Sequence, residues 1–307
     1  MVNVFIDGSA GTTGLRIYDR LSERDDVSLI KLPEELRKDD NARKDAINSA
    51  DIVFLCLPDD AARQAVDFVK NSNTAVIDTS TAHRTNEGWI YGFPELTGKR
   101  EAIFNSKRIA NPGCHASGFI ALIKPLVETG VISNDLSLNC FSVTGYSGGG
   151  KKMIADYEDP NKSALLKAPR QYGLSQQHKH LKEMQIISGI KTAPAFCPIV
   201  ADFYSGMEVT VTLFKNDIKA DIWGLKEIYK NYYTGKLVHF DENADENGFL
   251  SAAAFSGKDD MQIAVFGNDD RVLLTARYDN LGKGASGAAI QNMNILMGVD
   301  ETTGLVF

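Results

Sequence analysis

The chain has 307 residues, more than one hydrophobic core usually serves, so two domains are expected. Hydrophobic residues make up 43% and charged residues 24%, the balance of a folded globular protein, which excludes extended disorder. Against 40 Asp and Glu stand 33 Lys and Arg, a net charge of −7, and no basic stretch is long enough to track a phosphate backbone, so nucleic acid is excluded as a partner.

The chain opens directly on a strand, "VNVFIDG", with no charged leader and no long apolar run, so neither export nor a membrane partner is expected. Next come "TTGLRIYDRLSER", "VSLIKL", a charged helical stretch, "ADIVFLCLP", "DAARQAVDFVKNS" and "TAVIDTS". Short Val/Ile/Leu runs alternating with amphipathic helices predict an α/β, doubly wound domain of the Rossmann type, its parallel sheet covered on both faces. After about residue 130 the rhythm changes. "LSLNCFSVTG", "MEVTVTLF", "MQIAVFG" and "RVLLTARY" read as strands of a mixed or antiparallel sheet in an α+β domain, the last two joined by the turn "NDD". The final "GASGAAIQNMNILMG" carries a helical apolar pattern through Ile290, Met293 and Met297, and this helix is expected to return to the first domain. The boundaries read as 1–113 with 284–307 for the first domain and 114–283 for the second.

Gly8, Gly11 and Gly14 in "DGSAGTTG" lie between the first strand and first helix, where a tight turn lets helix N–H groups approach a pyrophosphate. The second strand ends on Lys31, with Arg37 and Lys38 nearby, which leans the cofactor toward NADP rather than NAD, although Glu34 and Glu35 stand in the same stretch.

The cysteines Cys56, Cys114, Cys140 and Cys197 are widely spaced and form no CxxC, so neither a zinc site nor a disulfide framework is expected, and a reducing, cytoplasmic compartment suits them. Cys114 differs from the others. It follows the turn "NPG" and opens an apolar helix with Phe119, Ile120, Ile123 and Val127 at helical spacing and Pro125 set to kink it. A thiol at a helix N-terminus feels the positive end of the dipole, which favours the thiolate and a nucleophilic role. Cys56, read as the middle of a buried strand, Cys140 and Cys197 are packed small hydrophobes.

A thiolate needs a proton partner. His178 and His180 in "QQHKHLKEM" suit general acid/base work, and spacing alone does not choose between them; no third ligand set supports a metal reading of the pair. His83, His115 and His239 read as structural or supporting. "TGYSGGGKKM" has Gly145, Gly150 and Lys151 in GxxxxGK spacing, but Lys152 occupies the position where a nucleotide loop needs Ser or Thr. What remains is a glycine-rich turn with backbone donors and lysines, suited to a phosphate or carboxylate, and Arg84, Arg108, Arg170 and Lys191 are further candidates for anion contacts.

Nicotinamide, helix-terminal cysteine and histidine together define reduction of an activated acyl group through a thioester. "FIDGSAGTTG", "DIVFLCLP", "VIDTSTAHR", "YGFPEL", "ANPGCHASG", "GYSGGGKKM", "HKHLKEM" and "GASGAAIQNMN", in that order, resemble the shorter form of the N-acetyl-gamma-glutamyl-phosphate reductases of arginine biosynthesis, several pieces being shared with aspartate-semialdehyde dehydrogenases. The resemblance implies NADPH-dependent reduction of N-acetyl-glutamyl phosphate to the semialdehyde, with Cys114 as nucleophile and His180 or His178 as acid/base. It further implies cofactor contacts at Gly8, Ser9, Ala10, Gly11, Thr12, Thr13, Gly14, Ser147, Gly148 and Asn292, with the first domain and the terminal helix holding the cofactor. Substrate contacts fall to Arg84, Ser147, Gly149, Lys151, Arg170 and Glu183, and a homo-oligomer, dimer or tetramer, is implied. The alternatives are an aspartate-semialdehyde dehydrogenase-like acyl-phosphate reductase and a catalytically silent NADPH-binding regulator, which would have no use for a reactive thiol.

Overall fold

The alternation in the first third produces β1 (Val2–Asp7), α1 (Thr12–Leu21), β2 (Val27–Ile30), α2 (Asp40–Ser49), β3 (Ile52–Leu55), α3 (Asp59–Phe68), β4 (Ala75–Asp78), β5 (Ile90–Tyr91), α4 (Lys99–Phe104) and β6 (Arg108–Ala110). In the computed structural model, which describes residues 1–307, these strands form one parallel sheet in the order β2-β1-β3-β4-β6-β5. Side chains alternate across it. On one face Val4 and Ile6 meet Ile17 and Leu21 of α1 and Ile290 and Met293 of the terminal helix, Gly287–Met297. On the other, Phe5 and Val53 meet Ile47 of α2 and Ala62 and Ala65 of α3. Covered on both sides, β3 and β4 are buried along their whole length, so β3 reads as an unbroken apolar run and β4 as one that ends on buried Asp78. This unit comprises Met1–Pro112 with Ala285–Leu305.

The second unit, Gly113–Gly284 with Val306–Phe307, is built on α5 (Cys114–Glu128), β7 (Asn139–Gly145), α6 (Gly150–Glu158), β8 (Arg170–Gln171), α7 (Leu181–Ser188), β9 (Ala195–Ala201), β10 (Met207–Phe214), α8 (Ile222–Tyr232), β11 (Val238–Phe240), β12 (Met261–Gly267) and β13 (Arg271–Tyr278). Its seven-stranded mixed sheet runs β11-β12-β13-β10-β7-β9-β8. The "NDD" turn joins β12 to β13 as an antiparallel hairpin, with the Asn268 side chain accepting from the N–H groups of Asp270 and Arg271. Both sheet types expected from the sequence are therefore present, a parallel doubly wound sheet and a mixed one.

Helix α5 runs on through Pro125, which has no N–H to give the Ala121 carbonyl four residues back. The Tyr233 hydroxyl supplies that donor at 2.8 Å, and the Tyr229 hydroxyl reaches the carbonyl of Leu122. No helix is long and apolar enough to cross a membrane.

Ile290 is fully buried against the parallel sheet, so Ile290→Ala is expected to lower stability by roughly 2–5 kcal/mol, read as a fall in the urea midpoint.

Candidate active site

In the first unit, the β2-β1-β3 order makes the C-terminal ends of β1 and β3 the switch point of the sheet, where a doubly wound fold binds its ligand. Gly8 follows β1 with φ +90°, and a Cβ there would stand 2.3 Å from the carbonyl oxygen of Cys56 just beyond β3. Gly14 is the third residue of α1 rather than part of the turn, and its missing side chain lets the helix press on the loop: a Cβ would lie 2.5 Å from the Gly8 oxygen. Gly11 caps α1 without a side-chain bond, Ser9 and Ala10 complete the loop, Thr12 and Thr13 open the helix, and all of them are at least partly exposed. Cys56 sits one residue past β3 and is partly exposed, not mid-strand, because the strand ends where the loop crosses it. Burial pushes its thiol up to about 12, the reverse of what a nucleophile needs. At the end of β2, Lys31 extends over the Tyr18 ring at 5.0 Å, and Arg37 pairs with Glu34.

Two expected ligand residues of this unit converge on Asn111. Arg84 donates from Nε to the Asn111 carbonyl at 2.9 Å, and Asn292 donates to the Asn111 side-chain oxygen at 3.2 Å and to the Gly92 carbonyl at 2.9 Å. Both are buried, so their visible work is to fix the strand end that leads to the NPG turn. His83 is held by Asp78 at 2.7 Å and stacks on Trp89, a supporting position. The Arg108 side chain binds the carbonyls of Thr74 and Lys107.

In the second unit, Gly113 is the N-cap of α5 and Cys114 its first residue, partly exposed, as the turn and spacing predicted. Gly113 offers no capping side chain. Its own N–H is instead taken by the buried carboxylate of Glu183 at 2.7 Å, from the first turn of α7. His115, the next residue, is buried, with Nδ1 2.6 Å from the Ser142 hydroxyl and Nε2 2.6 Å from the Tyr172 hydroxyl. Its ring lies 5.9 Å from His178 and 5.7 Å from His180, and the two histidines of the HxH pair stand edge to face at 4.7 Å. These side chains are not arranged as a group of three or more that could hold a metal ion. The fold thus brings His178 and His180 to His115, with Tyr172 beside His115 and His178, and Glu183 to the Gly113 N–H that precedes Cys114. Neither His115 nor Tyr172 was picked from sequence as part of the working cluster.

Burial, reinforced by His178, pushes His115 down to about 3. Burial, followed by Lys179, holds His178 below the usual imidazole value, so it is neutral at neutral pH. His178 Nδ1 accepts the backbone N–H of His180 at 3.2 Å. Burial and then the charge of Cys114 push the Tyr172 phenol up.

The glycine-rich turn is less open than its sequence implies. The N–H groups of Gly145, Tyr146 and Ser147 are taken by the carbonyls of Gly206, Phe203 and Tyr204, and the Ser147 hydroxyl accepts from buried Asn280 at 3.0 Å. Gly148, Gly149 and Lys151 remain near the surface. Arg170 binds the Tyr157 hydroxyl at 3.1 Å from a half-buried position, whereas Lys191 pairs with Asp135 at the surface.

Two family models cover most of the chain: one described as the NAD binding domain of semialdehyde dehydrogenase matches residues 25–106, and one described as its dimerisation domain matches residues 114–280. Fold and matches together place the chain in the semialdehyde dehydrogenase family. Among solved structures, aspartate semialdehyde dehydrogenase II of Vibrio cholerae, complexed with ASA, has a TM-score of 0.73 at 18% identity, over 97% of this chain and 98% of that one. The Candida albicans aspartate semialdehyde dehydrogenase with NADP has a TM-score of 0.67 at 16% identity, over 97% and 98%. At such identities the likeness is one of fold. N-acetyl-gamma-glutamyl-phosphate reductase 2 of Nostoc sp. is 45% identical, with 98% of each chain covered, and the N-acetyl-gamma-glutamyl-phosphate reductase of Brucella suis is 44% identical, over 96% of this chain and 98% of its own. The chain belongs to the N-acetyl-gamma-glutamyl-phosphate reductase family.

His115 sets a pH dependence of stability. Between its unfolded value near 6.5 and its folded value of about 3, the unfolded chain binds a proton that the native state refuses, so stability falls as pH drops through that window. Denaturation at a series of pH values should show His115→Gln declining less steeply than wild type below that upper value, by up to ~1.4 kcal/mol per pH unit, one proton's worth.

Proposed function

We propose that the chain reduces N-acetyl-gamma-glutamyl phosphate to N-acetyl-L-glutamate 5-semialdehyde and phosphate in arginine biosynthesis, through a thioester on Cys114 and with NADPH as reductant. The observation that carries this is a partly exposed thiol on the first residue of α5, next in the chain to His115, whose ring meets the neutral His178. The names of the relatives supply the substrate.

The glycine loop fits a dinucleotide. Gly8 adopts a backbone conformation closed to other residues, and the uncapped start of α1 leaves donors for a pyrophosphate. Gly8, Ser9, Ala10, Gly11, Thr12, Thr13 and Gly14 would hold it, and Lys31 stands where a 2′-phosphate is read. When bound, NADPH supplies the hydride that reduces the thioester. Ser147, Gly148 and Asn292 are assigned to the same ligand, and Asn292 keeps a buried side-chain oxygen without a hydrogen-bond partner.

Cys114 sulfur attacks the acyl carbon, its proton passing to the His178/His180 pair, and the C–O bond to phosphate breaks to leave the thioester. Backbone N–H groups of the first turn of α5 stabilise the oxyanion as charge develops. After reduction the thiohemiacetal carbon–sulfur bond breaks, which frees the aldehyde and restores the thiolate. Arg84, Ser147, Gly149, Lys151, Arg170 and Glu183 are assigned to the substrate, Glu183 also holding Gly113 in place. Residues 1–113 with 284–307 serve the cofactor and residues 114–283 the chemistry.

The chain is further assigned to a homo-oligomer in the cytoplasm. On β10, buried Val209, Val211 and Leu213 alternate with half-exposed Thr210 and Thr212, and exposed Phe141 and Leu273 share the threonines' side of the sheet. The cysteines are free thiols, as a reducing compartment keeps them.

Phosphate-dependent NADP reduction should proceed with N-acetylglutamate semialdehyde and fail with aspartate semialdehyde; the opposite preference contradicts the assignment. Cys114→Ala should lose on the order of 10⁴-fold or more in kcat. Of His178→Asn and His180→Asn, the variant lacking the acid/base should lose about 10²- to 10⁴-fold.

A further inference from the structure

Three buried tyrosine hydroxyls grip α5, two of them near Pro125: Tyr233 gives the Ala121 carbonyl the donor that the proline lacks, and Tyr229 reaches the next carbonyl, that of Leu122. The third holds the opposite end of the helix. The Tyr278 hydroxyl donates to the Cys114 carbonyl at 2.6 Å and accepts the Gly118 N–H at 3.0 Å. That carbonyl and that N–H already face each other four residues apart across the first turn of α5, and no proline removes the donor.

The sequence gives up helix propensity to admit this hydroxyl. At Gly118 a Cβ would lie 2.7 Å from the Tyr278 oxygen and 2.7 Å from Val209, so only glycine fits, although glycine weakens a helix relative to alanine. Tyr278 is rigidly placed: it ends β13, fully buried, paired with Met207 of β10 on one side and Met261 of β12 on the other. Just after it, the Asp279 carbonyl accepts the N–H groups of Gly282 and Gly284, and a Cβ on Gly284 would meet the Cys114 Cβ at 3.1 Å. One continuous segment thus holds the Cys114 backbone and presses on its side chain.

Resting on Cys114 as the nucleophile, we infer that Tyr278 is a positioning residue for it: the hydroxyl seated between the Cys114 carbonyl and the Gly118 N–H sets the first turn of α5 and so the direction of the sulfur toward the helix N–H groups. Burial, then the charge of Cys114, keeps the phenol well above its usual value, so the donor persists when the sulfur ionises.

The test is the pH dependence of iodoacetamide alkylation at Cys114, read by peptide mass mapping without substrate, alongside steady-state kinetics. Tyr278→Phe should displace the alkylation profile to higher pH and lower kcat about tenfold or more, with KM for NADPH unchanged. Tyr233→Phe, which removes a comparable bond on the same helix, should lower stability yet keep the wild-type profile and kcat. Gly118→Ala, which crowds the hydroxyl out of the turn while leaving the tyrosine, should shift the profile as Tyr278→Phe does, and it decides the matter if Tyr278→Phe does not fold. A wild-type profile in Tyr278→Phe or Gly118→Ala, or an equal shift in Tyr233→Phe, overturns the inference. Failure of Cys114 as the nucleophile would show separately, as turnover surviving in Cys114→Ala.

Discussion

The chemistry depends on the first turn of α5, where backbone N–H groups have no partners within the helix and a sulfur sits among them. An ordinary N-cap of Ser, Thr, Asp or Asn would satisfy one of those donors with its own oxygen. Gly113 has no such side chain, and the Glu183 carboxylate takes the Gly113 N–H. The positive end of the dipole acts on Cys114, the first residue of the helix. Around it the polar groups are held in fixed protonation states by burial. His115 is neutral, its hydroxyl partners Ser142 and Tyr172 stay uncharged, and the basic form of His178 is the one present at neutral pH.

A second constraint governs the first unit. Parallel strands diverging from β1 leave a crevice at their ends, and the chain crosses it so tightly that Gly8 and Gly14 have no room for a Cβ. Glycine is required there by contact with the Cys56 carbonyl and with the loop itself, so the same residues that bring helix donors close to a ligand are the ones packing demands. The Cys56 backbone closes the crevice, while burial raises its thiol well above the usual value.

The sequence displayed the fold well because both sheets obey simple patterning. β3, and β4 up to Asp78, are apolar runs since both of their faces are covered, and β10 alternates since only one of its faces is. The start of α5 was legible from the NPG turn and the helical spacing behind it. Less legible were the tertiary partners. Tyr172 and Tyr278 lie 58 and 164 residues from Cys114 in the chain, and nothing local to "RQYGL" or "TARYDN" announces a hydroxyl aimed at a helix turn. A glycine within an apolar helix, Gly118, was the one available signal. The Gly145–Lys151 turn misled in the other direction, because glycine content reveals flexibility but not that the Gly145, Tyr146 and Ser147 N–H groups are already engaged by residues 203–206.

The central claim is that the acyl group passes through a covalent bond to the Cys114 sulfur. Its most direct measurement is intact-protein and peptide mass spectrometry after incubation with N-acetyl-gamma-glutamyl phosphate and no reductant. An N-acetylglutamyl adduct confined to the peptide bearing Cys114, discharged on adding NADPH, is the result expected. An enzyme that turns over this substrate yet yields no adduct there, or carries it on another residue, would contradict the account.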